Sequence, residues 1–538
     1  MAKTLSSFIL SVLFITTVQA QLPHIIPQPV ELRPGKFPQD KFTIDKNTII
    51  FITDTTAKPA AKFLSDYIAR YYHLYLNIST NPDTKTKSSI NLVLDSRLYP
   101  NPDKYFVSVL KNQLNAGSAS GQGIFYAVQT IIQLLPPAND NSGKLIIPSV
   151  DVIDYPRFAY RGMHLDVSRH FFEVAFIKKY IDYLALHKLN NFHWHLTDDH
   201  GWRIEIKKHP KLTEIGAWRN GTIIGLYPGT GNDGLRYGGY YTQEEVKEVI
   251  KYAADRYINV IPEIEMPAHS MSVLAAYPEL GTEPSKKYEV AQTWGIFNKF
   301  NNVFQPTEQT FKFLEEVLTE VMELFPSQYI HIGGDEASKI WWKQSAVSQQ
   351  IMKRNGIKDE SGLQSYFIHR IEKFVNSKGK TIIGWDEILD GGLAPNAIVM
   401  SWRGEKGGIA AAKQKHKVIM TPENMMYFNH SQFVKDDSLT AAKFLPLKTV
   451  YDYEPVPAVL STEEASYIWG GQANLWSEYI ANPAKAEYMV FPRLDALSEI
   501  LWSPKEKRNY PDFLKRLKTQ LKRYDLMKVN YSKKYLNN

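Results

Sequence analysis

Tyr160-Arg161-Gly162-Met163-His164-Leu165 (YRGMHL), followed after a helical stretch by Asn191-Phe192-His193-Trp194-His195-Leu196 (NFHWHL), sets a rhythm of strand-like runs separated by helices. It continues at Asn259 to Ile264, Gln328 to Ile332, Lys380 to Gly384, Ala397 to Ser401, Lys417 to Met420 and Tyr467 to Gln472. Eight strands parted by helices or long loops predict an α/β chain built on a TIM (β/α)8 barrel. No glycine-rich phosphate fingerprint follows the first run, which argues against an open dinucleotide-binding sheet, and no equal-length repeat suggests a solenoid.

On the N-terminal side, residues 21–155 alternate short β-rich runs (Thr48 to Ile52, Ser89 to Leu94, Tyr105 to Leu110) with helical stretches (Ala57 to Tyr72, Gly123 to Leu135). That alternation predicts a small α+β domain ahead of a barrel over 156–505. Asp151 to Phe158 (DVIDYPRF) reads as an extended connector between the two. Past the barrel, Leu514, Leu517, Leu521 and Tyr524 recur at helical spacing, so residues 506–538 are expected to carry an amphipathic helix with a solvated basic face. Eleven Lys and Arg against three Asp and Glu from Pro504 to Asn538 make the net charge of +7 a local property. Nothing interleaves those charges with aromatics on a nucleic-acid fold, so no nucleic acid is expected as a partner.

The first residues read as an export signal: Met1-Ala2-Lys3, an apolar run from Phe8 to Val18, then Val18-Gln19-Ala20 as a small-residue cleavage pattern. Cleavage near Ala20 and an exported fate, periplasmic or secreted, are expected. No later stretch is long and apolar enough to predict a membrane span. With 538 residues, 44% hydrophobic and 22% charged, the chain has ample material for a folded core. It contains no Cys, which excludes disulfides and thiolate metal sites.

The polar and aromatic residues of interest come directly after the predicted strands: Arg169, Asp198, His269, Asp335-Glu336, Trp385, Trp402, Tyr427 and Trp476 to Glu478. A barrel projects all of them from one rim, where the active sites of this fold lie. In His331-Ile332-Gly333-Gly334-Asp335-Glu336 (HIGGDE) two glycines let the backbone turn and present two carboxyls. Burial and a like-charged neighbour favour a protonated carboxyl, as a general acid requires. Retaining glycosidases of the usual kind place two carboxyls about 5 Å apart across the scissile bond. Sequence neighbours instead address adjacent parts of one ligand. Glu336 is therefore expected to protonate a leaving oxygen while Asp335 holds a 2-acetamido N–H, so that the substrate's own carbonyl oxygen attacks the anomeric carbon.

Trp385, Trp402 and Trp476 supply flat apolar walls, and Arg169 and Glu478 offer directional bonds to hydroxyls. Asp198 and His269 are expected to link to Glu336 and tune it. Each type also has a structural reading, as core packing or as an Arg–Glu bridge closing the barrel. Two other functions stay open on these residues: a metal-dependent hydrolase through His193, His195 and His269, and a glycan-binding protein without turnover.

At DVSRHFF (166–172), HWHLTDDHGWR (193–203), PEIEMPAH (262–269), HIGGDE, GWDE (384–387), SWRG (401–404), Tyr427-Phe428-Asn429 and GGQANLWSE (470–478), in this order, the chain resembles glycoside hydrolase family 20, the β-N-acetylhexosaminidases. Residues 123–130 (GIFYAVQT) look like the end of that family's small N-terminal domain. The resemblance implies an exo-acting, retaining enzyme that releases terminal N-acetylglucosamine or N-acetylgalactosamine from glycans, with no cofactor and no metal. It implies Glu336 as acid/base, Asp335 as the acetamide-orienting carboxylate and Tyr427 as donor to the acetamide oxygen. Trp385, Trp402 and Trp476 match the pocket walls, Arg169 and Glu478 the grip on the outer hydroxyls, and Asp198 with His269 the support for the acid. Asn429 stands where many members have Asp and keeps hydrogen bonding to a hydroxyl; Glu265 and Ala268 replace the commoner Asp and Gly.

Overall fold

The computed structural model describes residues 22–81, 88–95, 101–436 and 439–536; the export signal read at residues 1–20 lies outside the described residues. Eight parallel strands close into a barrel: β1 (Tyr160–Asp166), β2 (Asn191–His195), β3 (Asn259–Met266), β4 (Tyr329–Gly333), β5 (Thr381–Trp385), β6 (Ile398–Ser401), β7 (Val418–Met420) and β8 (Ile468–Ala473). β8 pairs with β1 through Tyr160↔Gly470 to Met163↔Ala473 and seals the cylinder. All eight strand-like runs of the sequence are barrel strands.

Strand alternation sorts the side chains. On β2, Phe192 and Trp194 face outward, where Trp194 meets Tyr241 and Phe325 from the helical layer. His193 and His195 face the axis, one residue in two, as strand geometry requires. The lower barrel is apolar, packed by Tyr160, Ile261, Ile383, Ile398 and Ile419. The layer above it is polar: His164, His193, His195, Glu263 and His331 are all fully buried.

Helices Val174–Leu186, Gln243–Ala254, Glu308–Leu324, Glu360–Ser377 and Lys406–Lys413 cover the strands. Thr242 and Glu245 form a reciprocal capping box that starts the second of these. After β5 the chain departs from the repeating unit, because only a 3-10 turn, Asp386–Leu389, separates it from β6. That turn keeps Asp386 and Glu387 at the rim.

The N-terminal part is a seven-stranded mixed sheet, on which helices Lys58–Tyr72 and Gly121–Leu134 pack. The expected connector at Asp151 is shorter than its sequence suggests: Val150–Asp154 is a strand paired with Glu31–Pro34 and Tyr105–Val109. Only the residues between Asp154 and Tyr160 link sheet to barrel. The junction is buried and ionic, with Lys188 Nζ 3.0 Å from Asp154 Oδ2 and Trp502 Nε1 donating to the same carboxylate at 3.0 Å. Arg161 donates to Tyr126 Oη at 2.6 Å across the same seam.

Helix Tyr510–Met527 is amphipathic, with Leu517, Leu521 and Tyr524 buried. Its basic residues divide between two faces. Lys515, Lys518 and Lys522 are exposed, but Arg516 and Arg523 are buried. Arg516 grips the fully buried Glu499 at 2.6 Å, and Arg523 donates to the carbonyl of Gln133. Guanidinium forks satisfy buried acceptors better than ammonium groups, so the Lys residues stay outside.

Candidate active site

Every candidate residue of the sequence reading collects at the C-terminal mouth of the barrel. Arg169, His269, Asp335, Glu336, Trp385, Trp402, Tyr427, Asn429, Trp476 and Glu478 line one cavity of about 300 Å³. Asp198 lies just beneath it, 1% exposed and paired to Arg169 Nη1 at 2.8 Å. A larger hollow of about 590 Å³ lies outside the barrel against helix Lys58–Tyr72, between Phe63, Tyr67, Tyr252 and Arg256. Its polar groups pair with one another, Arg256 with Asp182 at 2.5 Å and Tyr252 with Asp182 at 3.0 Å. Its acids, Asp66, Asp182 and Asp255, are each paired with a basic residue, so the chemistry is placed at the mouth.

The acidic pair owes its placement to backbone geometry. Gly333 and Gly334 sit at φ of 68° and 98°, left-handed conformations that disfavour a side chain. A Cβ on Gly333 would fall 1.8 Å from Glu265 Oε2. Glu336 itself has φ 46° and His269 φ 49°, so the two residues that face one another are both held in uncommon conformations.

His269 is the hub. Its Nδ1 donates to Asp199 Oδ2 at 2.9 Å and stands 3.4 Å from Asp198 Oδ1. Its Nε2 is 3.4 Å from Asp335 Oδ2 and 3.6 Å from Glu336 Oε2. Burial opposes charge on the ring, but Asp198, Asp335 and Asp199 together lift it well above the usual histidine range. His269 is thus an imidazolium between two pairs of acids. Asp198 is held well below the usual carboxylate range: burial works against this, and Arg169, His269 and the hydrogen bond from His195 prevail.

The sequence reading expected a raised Glu336; the structure gives the opposite direction in the unliganded protein. Burial pushes its carboxyl up, but the hydrogen bond and charge of His269, with Arg169 behind, outweigh it and hold it below the usual value. Its side chain is also 42% exposed toward the cleft, whereas that of Asp335 is 13% exposed. Burial, with Arg169 opposing and Asp166 adding, raises Glu478. Burial keeps the Tyr427 hydroxyl far above its ordinary range, so it stays a donor.

Two of the walls are fixed through their indole nitrogens. Trp385 Nε1 donates to Glu263 Oε1 at 2.8 Å and Trp402 Nε1 to Glu387 Oε2 at 2.9 Å. Trp402 and Tyr427 lie nearly parallel with centroids 6.3 Å apart, and Trp385 and Trp476 meet at 5.8 Å. Arg493 secures the loop that carries Asn429 by donating to the carbonyls of Phe428 and His430 at 2.5 and 3.0 Å. Asp335 Oδ1 and Asn429 Oδ1 are buried and receive no hydrogen bond from the protein, so both are left to accept from a ligand.

The alternative structural reading of Arg169, a salt bridge to Glu478, is not what forms. Arg169 bridges to Asp198 and, at 3.4 Å, to Asp166, and its Cζ lies 5.0 Å over the Trp476 ring; these are its ion-pair partners in place of Glu478. Sequence reasoning missed Asp199, Glu263 and Glu387, and also the mouth residues Glu423 and Lys443, which pair with each other. Asp199 and Glu387 sit beside residues that were singled out; Lys443 lies in the short strand Ala441–Phe444, with no motif around it.

Several His and carboxylate groups are close enough to hold a metal ion, among them His193, Glu263 and His331. Their spacing is too tight for shared ligands: His331 Nδ1, which already accepts from the Gly333 N–H, is 2.8 Å and His193 Nε2 3.1 Å from the two oxygens of Glu263. Ligands about 2.0–2.2 Å from a shared zinc ion would be held farther apart than hydrogen-bonded partners.

The class this fold and mouth define is a (β/α)8-barrel protein built to hold one sugar-sized ligand against paired acids. The chain belongs to glycosyl hydrolase family 20: the family's catalytic domain matches residues 158–505 and its domain 2 matches residues 22–155. It is 42% identical over 525 residues to a beta-hexosaminidase of Porphyromonas gingivalis, spanning 95% of this chain and 65% of that protein. It is 36% identical to a beta-hexosaminidase of Vibrio furnissii, spanning 85% and 73% of the two. Among solved structures, it resembles a GH20 exo beta-N-acetylglucosaminidase of Vibrio harveyi in complex with N-acetylglucosamine, with TM-score 0.85, 34% identity, and coverage of 96% and 80%. A GH20 beta-N-acetylhexosaminidase of Streptomyces coelicolor superposes with TM-score 0.82 at 27% identity, covering 96% of this chain and 99% of that one.

Proposed function

We propose that the protein is an exported, exo-acting β-N-acetylhexosaminidase that retains configuration and uses the substrate's acetamide as nucleophile. The observation that carries this is the contrast between neighbours: Asp335 keeps a buried oxygen free to accept, while Glu336 opens toward the cleft. Asp335 accepts the acetamide N–H, and Tyr427 donates to the acetamide oxygen. That oxygen attacks the anomeric carbon as the bond to the leaving oxygen breaks, and Glu336 gives its proton to the departing group. The oxazolinium formed is opened by water on the face just vacated; Glu336 takes the water's proton, the bond to the acetamide oxygen breaks, and the sugar leaves with its original configuration.

His269, itself held by Asp198, positions Glu336 and stabilises the carboxylate left after proton transfer. The proton is present when needed because a leaving group covers the open side of Glu336 and removes the water that favours its charge. Trp385, Trp402 and Trp476 enclose the ring and acetamide, and Arg169, Glu478 and Asn429 address hydroxyls. A cavity of about 300 Å³ lies at the small end of ligand pockets and suits a single terminal residue. The apolar run before Ala20 supports export.

A panel of p-nitrophenyl β-glycosides with and without the 2-acetamido group tests the reading. Turnover confined to the acetamido members is expected; comparable hydrolysis of plain glucosides overturns it.

A further inference from the structure

Glu263 lies at the barrel axis one layer below the mouth and is fully buried. Each of its two oxygens accepts a hydrogen bond from a different element, and two further imidazoles stand close by. Oε1 accepts from Trp385 Nε1 at 2.8 Å, with His331 Nδ1 also 2.8 Å away; Oε2 accepts from His195 Nδ1 in a short contact, with His193 Nε2 3.1 Å away. Both donors lead directly to the site. The Trp385 ring is a wall of the pocket. The other nitrogen of His195 bonds Asp198 Oδ2 at 2.9 Å, and Asp198 in turn holds Arg169 at 2.8 Å and faces His269 at 3.4 Å.

We propose that Glu263 is a positioning residue for the reaction, locking the acetamide wall and the acid-supporting relay into one rigid unit. This inference rests on the substrate-assisted reading above. Burying an isolated carboxylate costs several kcal/mol, and an apolar side chain of similar volume is often the more stable choice. The layer just below, with Ile261, Ile383 and Ile419, is apolar in that way, whereas the layer under the mouth holds this ionic cluster. Its two arms explain why. Ring closure onto the anomeric carbon requires the acetamide and the acid to be correctly placed at the same moment, and an error of 1 Å costs about a hundredfold in rate. A carboxylate bonded to a different arm at each oxygen cannot turn toward one arm without releasing the other. Burial opposes charge on His195, yet Glu263 and the bonds to Asp198 and Glu263 lift the ring to about 10, so the arm toward Asp198 is charge-assisted at both ends.

Glu263→Gln preserves shape but turns one acceptor into a donor facing donors. The test compares the binding of two ligands by calorimetry: N-acetylglucosamine, and a bicyclic sugar thiazoline that mimics the closed intermediate. The variant is expected to bind the thiazoline about 30-fold or more weakly and N-acetylglucosamine within about threefold of the original, because only the closed form needs both arms aligned. A residue of purely structural importance weakens both equally, and that result overturns the proposal. Should Glu263→Gln fail to fold, His195→Gln cuts the relay arm alone, and the same split is required of it. An unaltered protein that binds the two ligands alike refutes the substrate-assisted reading, and the Glu263 role with it. An unaltered preference that survives in full in the variant refutes the Glu263 role alone.

Discussion

His269 Nε2 stands 3.6 Å from Glu336 Oε2, on the opposite side of the imidazole ring from Asp198 and Asp199. An imidazolium at that distance favours the Glu336 carboxylate over its protonated form. Replacing it has a defined sign: in His269→Gln the acid keeps its proton to higher pH. The alkaline limb of kcat/KM, which reports the free protein, is expected to move up by about one unit. A limb that stays in place or moves down contradicts this pairing.

Substrate covers the open side of Glu336, so bound and free protein should differ in the same sense. The alkaline limb of kcat is expected at higher pH than that of kcat/KM in the unaltered protein. Coincident limbs across a full pH–rate series would show that binding does not desolvate the carboxyl.

Glu336→Gln removes the proton donor but leaves the acetamide in place. Hydrolysis of a natural β-linked disaccharide is expected to fall by about 10³-fold or more, while an aryl glycoside with a good leaving group loses much less. Asp335→Asn misaligns the nucleophile for every leaving group, so both substrates are expected to lose comparably. Parallel assays of both variants check the division of labour between the neighbours.

His195 carries a stability signature. Its folded value of about 10 lies above the ordinary 6.5, so its contribution is complete below about pH 6.5 and is lost as pH rises through 10. Thermal midpoints are expected to fall over that window, and to fall less steeply in His195→Gln. Identical slopes in the two proteins would mean that the ring is neutral in the fold.

Gly333→Ala puts a methyl group where Glu265 Oε2 lies, at φ 68°. A loss of about 1–3 kcal/mol in stability is expected, with turnover falling further because Asp335 and Glu336 follow directly. Denaturant unfolding and turnover of the same preparation measure both effects.

The barrel was legible because each strand carries its own local signal and each is followed at once by a residue of unusual chemistry. The pairing of those residues was less so. Arg169 and Glu478 look like partners by type, yet Asp198 and Asp166 reach the guanidinium first, since β1 is hydrogen-bonded to β2 and the ends of both strands point into one space. Glu263 was hidden by its position: inside a strand, it reads as an interruption of an apolar run, and only barrel closure brings His195, His331 and Trp385 onto it from β2, β4 and β5. The direction of the Glu336 shift failed for the same reason, because adjacent acids suggest repulsion and the compensating His269 is 67 residues away in sequence. The buried Arg516 and Arg523 escaped because composition gives a helix its charge but not its partners.

The most direct test of the nucleophile is a series of aryl 2-acylamido glycosides in which the acetyl methyl carries zero, one, two or three fluorines. Fluorine drains the carbonyl oxygen while barely changing its size. If that oxygen attacks the anomeric carbon, kcat/KM falls at each step, by about a hundredfold or more across the series. A series flat to within about threefold would contradict the mechanism and leave the nucleophile to be sought elsewhere in the site.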